Sequence, residues 1–310
     1  VQHSANKHLN VYLTNAEEKN TMKLATYSTP DDATLRVGLV RDDGIVSLED
    51  NGIEGDMTSL LEAGIDNDAI EAATTGKSGL PLSSVTLHAP VPLPGKILAI
   101  GLNYGDHIAE TGSKKPEYQM WFNKQRNCAN GPYADINLPV VSDKLDYEAE
   151  LCLVIGKRCK HVPTERAHEV IGGYFCGNDV SVRDWQLRVP TFQIGKSFDT
   201  HGPMGPWLVT PDEVGDPHNL DILGTVNGEQ RQKSNTRHLI FNCFDAIAHL
   251  SQSFTLDVGD VLFMGTPGGV GVAMKPPSFM KVGDVVRVEI EKLGYIENTV
   301  VAENNETIIG

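Results

Sequence analysis

Glu148 and Glu150 stand two apart in Asp146-Tyr147-Glu148-Ala149-Glu150, which runs straight into Leu151-Cys152-Leu153-Val154-Ile155. Side chains two apart on a strand share a face. The two carboxylates therefore project together beside a segment that reads as core. Like charges held side by side against apolar surface are costly without a positive partner. A hard divalent cation, which takes oxygen ligands, is such a partner. A third carboxylate, Asp179, ends the stretch Gly172-Gly173-Tyr174-Phe175-Cys176-Gly177-Asn178-Asp179. No Cys/His cluster accompanies the three, so the chemistry is that of magnesium, manganese or calcium rather than zinc. The plain alternative is an acidic pair on the solvated face of an edge strand. Spacing alone leaves both open.

Other residues could serve such a centre. In Asn103-Tyr104-Gly105-Asp106-His107-Ile108-Ala109-Glu110, a helix over 104–111 puts His107 and Glu110 at i and i+3, on one face. A carboxylate beside an imidazole orients it as a general base for water; the bland reading is a surface pair. Ser181 would cap a helix over 181–187, whose Arg183 and Gln186 share a face. A guanidinium and an amide near a metal suit a carboxylate or 2-oxo acid, although such an arginine could equally pair with nearby acids. Lys196 could stabilise a developing enolate, or lie on the surface. Gly265-Thr266-Pro267-Gly268-Gly269-Val270-Gly271 reads as a tight loop where Thr266 could approach a ligand, or as a plain turn. Gly195-Lys196-Ser197 and Gly76-Lys77-Ser78 are not phosphate loops: Pro190 and Glu71 occupy the position of the first glycine.

The elements that would position these residues are short and mostly extended. Strands are expected at 96–101, 148–156, 172–180, 205–210, 221–227, 260–264 and 284–291, and helices at 104–111, 164–170, 181–187 and 241–254. They do not alternate regularly, which argues against a doubly wound parallel sheet. Residues 1–21 form a polar extension, expected to be flexible. A small N-terminal α/β domain over 22–90 begins with a hairpin turning at Asp42-Asp43-Gly44 and carries helix-spaced apolar residues at 56–75. The Pro-rich segment 85–95 leads into a larger domain, 91–310. The chain has 310 residues and a formal net charge of -15, which argues against nucleic-acid or anionic-membrane partners. Five cysteines without a CxxC pair suggest reduced thiols and a cytoplasmic location.

Together these segments resemble the fumarylacetoacetate hydrolase family, in its domain-containing branch. The matching phrases include Gly101-Leu102-Asn103-Tyr104-Gly105-Asp106-His107, Asp146-Tyr147-Glu148-Ala149-Glu150-Leu151 and Gly177-Asn178-Asp179-Val180-Ser181-Val182-Arg183-Asp184-Trp185-Gln186. Gly195-Lys196-Ser197-Phe198-Asp199-Thr200, Asp216-Pro217-His218-Asn219-Leu220 and Gly265-Thr266-Pro267-Gly268-Gly269-Val270-Gly271 follow in the family's order. The resemblance implies an α+β, β-rich fold, a mixed β-sandwich roll, and a homodimer. It implies Mg2+ or Mn2+ on Glu148, Glu150 and Asp179. His107 and Glu110 would belong to a lid over 104–114, and Arg183, Gln186, Lys196 and Thr266 would contact substrate. Two departures stand out. Residues 187–195 lack the Gly-Gly-x-Trp phrase of the sugar-acid hydrolases. Asn103 stands where longer members have an aspartate ligand.

The leading expectation is hydrolysis of a carbon–carbon bond in a 2,4-dioxo acid, acylpyruvate-like or fumarylacetoacetate-like. His107, oriented by Glu110, would activate water, and Lys196 would help stabilise the departing enolate. The alternative uses the same metal-enolate site for decarboxylation, isomerisation or tautomerisation of an oxaloacetate-like acid. Either way the partner is a small anionic 2-oxo acid. A non-catalytic metal-stabilised scaffold is the remaining reading.

Overall fold

The computed structural model describes residues 22–42 and 44–309. The extension expected over 1–21 and Asp43 of the expected hairpin turn lie outside the described residues. Strands β1 (Lys23–Thr29), β2 (Asp32–Arg41) and β3 (Gly44–Ser47) come first. Helices α1 (Met57–Ala63) and α2 (Asn67–Thr74) follow, each capped by an aspartate, Asp56 or Asp66, that accepts a backbone N–H. After the Pro-rich stretch come β4 (Ile97–Gly101), α3 (Gly105–Thr111), β5 (Met120–Lys124), β6 (Ala149–Ile155) and β7 (Ile171–Asn178). Next are α4 (Arg183–Gln186), β8 (Gly202–Val209), β9 (Asp221–Val226) and β10 (Glu229–Asn235). The chain closes with α5 (Cys243–Ser253), β11 (Val261–Phe263), β12 (Val285–Ile290) and β13 (Gly294–Ala302).

Two sheets dominate. In a 12-stranded sheet, β3-β2-β1-β8-β7-β6-β11-β4-β5 are successive neighbours; in a five-stranded sheet, β10-β9-β12-β13 are. The fold is α+β and strand-rich, as expected. Among the described residues, no helix is long and apolar enough to cross a membrane.

The centre of the large sheet explains the apolar run that follows Glu150. All seven residues of β6 are buried. Leu151, Leu153 and Ile155 pack with Ile222, Val288 and Ile290 of the second sheet and with Ile247 and Leu250 of α5. Cys152 and Val154 point the other way, into a core shared with Leu24, Leu39, Leu60 and Leu61. A strand covered on both faces has no solvated face to encode as polar. Charged groups at its start are buried too.

The N-terminal segment is joined to this sheet: β1 pairs antiparallel with β8, Leu24 opposite Leu208. Residues on both sides of the boundary expected at residue 90 thus share one sheet and one core.

Several local expectations are corrected. Residues 164–170 form a 3-10 helix. The helix expected at 181–187 is shorter, because Ser181 and Val182 pair as a short strand with Asp146 and Leu145. Ser181 is therefore no cap; its hydroxyl donates to the Asp179 carbonyl at 2.9 Å. Strands β5, β10 and β13 were not among the expected ones. In β10, Glu-Gln-Arg-Gln-Lys-Ser-Asn carries no apolar alternation; it is an edge strand held by its pairing with β9.

Candidate active site and metal centre

The register of β6 on β7 builds the carboxylate cluster. Ala149 lies opposite Asn178 and Glu150 opposite Gly177. The same register sets Glu148 against Asp179, whose N–H donates to the Glu148 carbonyl at 2.9 Å. Opposed residues of an antiparallel pair share a face. Glu148, Glu150 and Asp179 thus converge, with ligand atoms within 4.8 Å of one another and all three residues buried. Gly177 is part of the construction: a Cβ there would collide with Cys152 Sγ and come 2.7 Å from Phe263 Cε1.

Three buried cations surround the cluster. Lys196 Nζ donates to Glu148 Oε2 at 2.6 Å and to Asp179 Oδ2 at 2.9 Å. Lys124 Nζ donates to Asp179 Oδ1 at 2.6 Å, to the His201 carbonyl at 3.0 Å and to the Lys196 carbonyl. Arg183 Nη1 pairs with Glu148 Oε1 at 2.7 Å, and its Nε with Asp146 Oδ2 at 2.7 Å. Lys196 is thus a buried hub, not a surface lysine.

The electrostatics single out Glu150. Burial opposes ionisation of Glu148, but the charges of Lys196 and Arg183, with His107 adding, hold its carboxyl down at about 2. Burial pushes Glu150 well above the usual carboxylate range, and the charges of Asp179 and Glu148 push the same way. Glu150 accepts the Gly265 N–H at 2.6 Å. Four buried carboxylates, counting Asp146, face the three buried cations Lys124, Arg183 and Lys196. The cluster is therefore one positive charge short, with the deficit at Glu150. An all-oxygen, buried and electron-rich donor set fits a hard divalent cation.

The histidine dyad is also present. His107 Nδ1 and Glu110 Oε1 are 2.8 Å apart on α3. Glu110 Oε2 accepts the Gly269 N–H at 2.7 Å, tying α3 to the glycine loop. Thr266 is held by that loop's base: its hydroxyl donates to the Ala149 carbonyl at 2.9 Å and accepts from Gln232 Nε2 at 2.7 Å. Gln186 Oε1 accepts from Arg183 Nη1 at 2.9 Å.

These groups open on one cavity of 620 Å³. Of the residues singled out from the sequence, all but Asp179 line it; Asp179 lies behind, between the two lysines. Phe122, Phe192 and Met274 give the cavity apolar walls. Asn103 does not join the cluster. Its amide is spent on the Phe241 and Met264 carbonyls, and its Oδ1 on the Phe241 N–H. It ties the start of the lid segment to two loops.

Sequence reasoning missed Lys124 and Asp146. Lys124 carried a faint signal: it is two residues after Phe122, on the buried side of β5. Asp146 carried none beyond its place in the acidic phrase.

The model of the family described as "Fumarylacetoacetate (FAA) hydrolase C-terminal" matches residues 96–301. The chain belongs to the fumarylacetoacetate hydrolase family. Its members include the mitochondrial oxaloacetate tautomerase fahd2 of Xenopus laevis, 42% identical over 291 residues, covering 91% of this chain and 91% of the relative. Among solved structures, maleylpyruvate hydrolase from Sphingobium sp. SYK-6, in complex with manganese(II) and pyruvate, is 33% identical at a TM-score of 0.76. It covers 91% of this chain and 100% of that one. The 5-carboxymethyl-2-hydroxymuconate delta-isomerase from Mycobacterium smegmatis is also 33% identical, at a TM-score of 0.73, covering 92% and 100%.

These family relatives correct one expectation. The frog protein and its rat, bovine and human counterparts are named as mitochondrial, which overturns the cytoplasmic reading. Buried free thiols separate an oxidising from a reducing environment. They do not separate one reducing compartment from another.

Proposed function

We propose that this family member is a metal-dependent enzyme that interconverts the enol and keto forms of an oxaloacetate-like 2-oxo acid. The observation that carries the reading is that Glu148 and Glu150, with Asp179 directly behind them, line the same cavity as the His107–Glu110 dyad. The names of the tautomerase relatives favour this activity, the sequence-derived alternative, over the hydrolysis placed first. A mitochondrial location accompanies it.

Glu148, Glu150 and Asp179 would hold a magnesium or manganese ion, which when bound would supply Lewis acidity for the enolate chemistry. Keto–enol exchange moves one proton between C3 and the 2-oxygen. His107, kept in orientation by Glu110, adds or removes the proton at C3. Lys196 offsets the charge that develops on the 2-oxygen. Arg183 and Gln186 receive the substrate carboxylate, and Thr266 borders it. The homodimer, the small anionic partner, and the absence of nucleic-acid and membrane partners belong to the same proposal.

The test follows loss of enol-oxaloacetate absorbance with Mn2+ present. The chain should exceed the spontaneous rate, and His107→Asn should lower kcat by about 100-fold, the scale of general acid–base catalysis. A wild-type rate equal to the metal-containing blank would refute the reading.

Hydrolysis of an acylpyruvate-like acid is the second reading. The anchoring of Glu110 by Gly269 favours it, since a fixed imidazole can also deprotonate water. Pyruvate and acetate released from acetylpyruvate, and lost in Glu110→Gln, would support it.

A further inference from the structure

Asp146 is fully buried and accepts four N–H donors. Its Oδ1 takes Tyr147 N at 2.9 Å and Gly271 N at 2.8 Å. Its Oδ2 takes Val272 N at 2.9 Å and Arg183 Nε at 2.7 Å. One carboxylate thus ties three parts of the site together: the start of the acidic phrase, the cavity wall at 271–272, and Arg183.

The guanidinium is almost fully committed by these contacts. Nε is held by Asp146, while Nη1 serves Glu148 and Gln186. Nη2 is buried and has no partner among the described residues. A buried unpartnered donor on a cation is costly unless something else satisfies it. Arg183 as a whole lines the cavity, so the held guanidinium stands beside the space where a ligand would sit.

We propose that Asp146 is a positioning residue: it fixes the Arg183 guanidinium and the 271–272 wall together, so that both keep their places around a bound substrate carboxylate. The inference rests on the 2-oxo acid reading above. Asp146 touches no reacting atom and acts only through Arg183. Asparagine at this position discriminates well. Its oxygen can still accept from Tyr147 and Gly271, while its amide N–H groups would confront Arg183 Nε–H and Val272 N–H, donor against donor.

The experiment uses the full chain loaded with Mn2+ and oxalate as the probe, by calorimetry. Wild type, Asp146→Asn, Arg183→Met and the double variant are compared, with the Mn2+ affinity of each measured separately. Asp146→Asn should weaken oxalate binding by about 10- to 100-fold, the scale of a charge-assisted hydrogen bond. It should raise KM for oxaloacetate more than it lowers kcat, and leave Mn2+ affinity within about threefold. The double variant should bind oxalate no worse than Arg183→Met, because both changes remove one device. Additive losses, or unchanged oxalate binding in Asp146→Asn, would overturn the proposal while leaving the functional reading standing. Wild type that binds Mn2+ but no oxalate would overturn the functional reading and this proposal with it.

Discussion

Lys124 shows how far single side chains are committed in this site. Its side chain is fully buried, and its three donors go to Asp179 and two backbone carbonyls. Burial works against its charge, yet Asp179 keeps its pKa above the usual lysine value. Lys124→Met would leave Asp179 Oδ1 and two carbonyls without that donor. We expect a loss of about 3–5 kcal/mol of stability, the cost of breaking a buried pair from one side; urea unfolding would measure it. His201 makes a second residue-scale prediction. Burial depresses its pKa to about 3, the Asn137 carbonyl opposing and the Lys124 charge adding. The unfolded value is about 6.5. The folded state therefore binds fewer protons below that pH, and stability falls as pH drops from about 6.5 toward 3, by at most ~1.4 kcal/mol per unit. His201→Gln should flatten the profile relative to wild type between pH 6.5 and 4.5. An unchanged slope would show that His201 does not carry it.

The pair β6–β7 is the element that gathers three ordinary acids into one cluster able to hold a metal. Antiparallel register sets Glu148 against Asp179, and a slip of one residue would send the carboxylates to opposite faces. Gly177 marks how closely the neighbouring side chains approach. Gly177→Ala would press its methyl on Cys152 Sγ and Phe263. A cost of about 1–3 kcal/mol is expected. Removing the sulfur in Gly177→Ala/Cys152→Ala should return part of it, so the two changes should be non-additive in chemical denaturation. Additivity would mean that the strand shifts instead. The fixed apolar alternation of β6 into two cores argues against such a shift.

At the scale of the molecule, the site joins distant parts of the chain. The 12-stranded sheet supplies β6, β7 and β5; the glycine loop follows β11; α3 leans on that loop through Glu110. A cation completing the charge at Glu150 would need all of these assembled. Folding stability should therefore rise with metal, by RT ln(1 + [L]/Kd), or about 2.7 kcal/mol at 100 times Kd. Mn2+ should raise the thermal midpoint of wild type, and Glu150→Gln should remove most of that gain. An equal shift in both would place the stabilising ion elsewhere.

The sequence by itself determined the chemistry on offer. Glu148 and Glu150 at strand spacing, Asp179 at the end of an apolar run, and His107 with Glu110 at helical spacing were all legible, because each depends only on a local period. The strand-rich class and most strands of the large sheet followed from the same signal. Tertiary structure alone decided which acids are paired with buried cations and which are not. Lys124 and Lys196 meet at Asp179 from strands and loops 72 residues apart, and no local pattern encodes that meeting. Asp146 read as a strand residue until its four donors, three of them from distant backbone or side chain, were in place. Periodicity reports which face a side chain takes. Only the packing of one element on another fixes what that face meets.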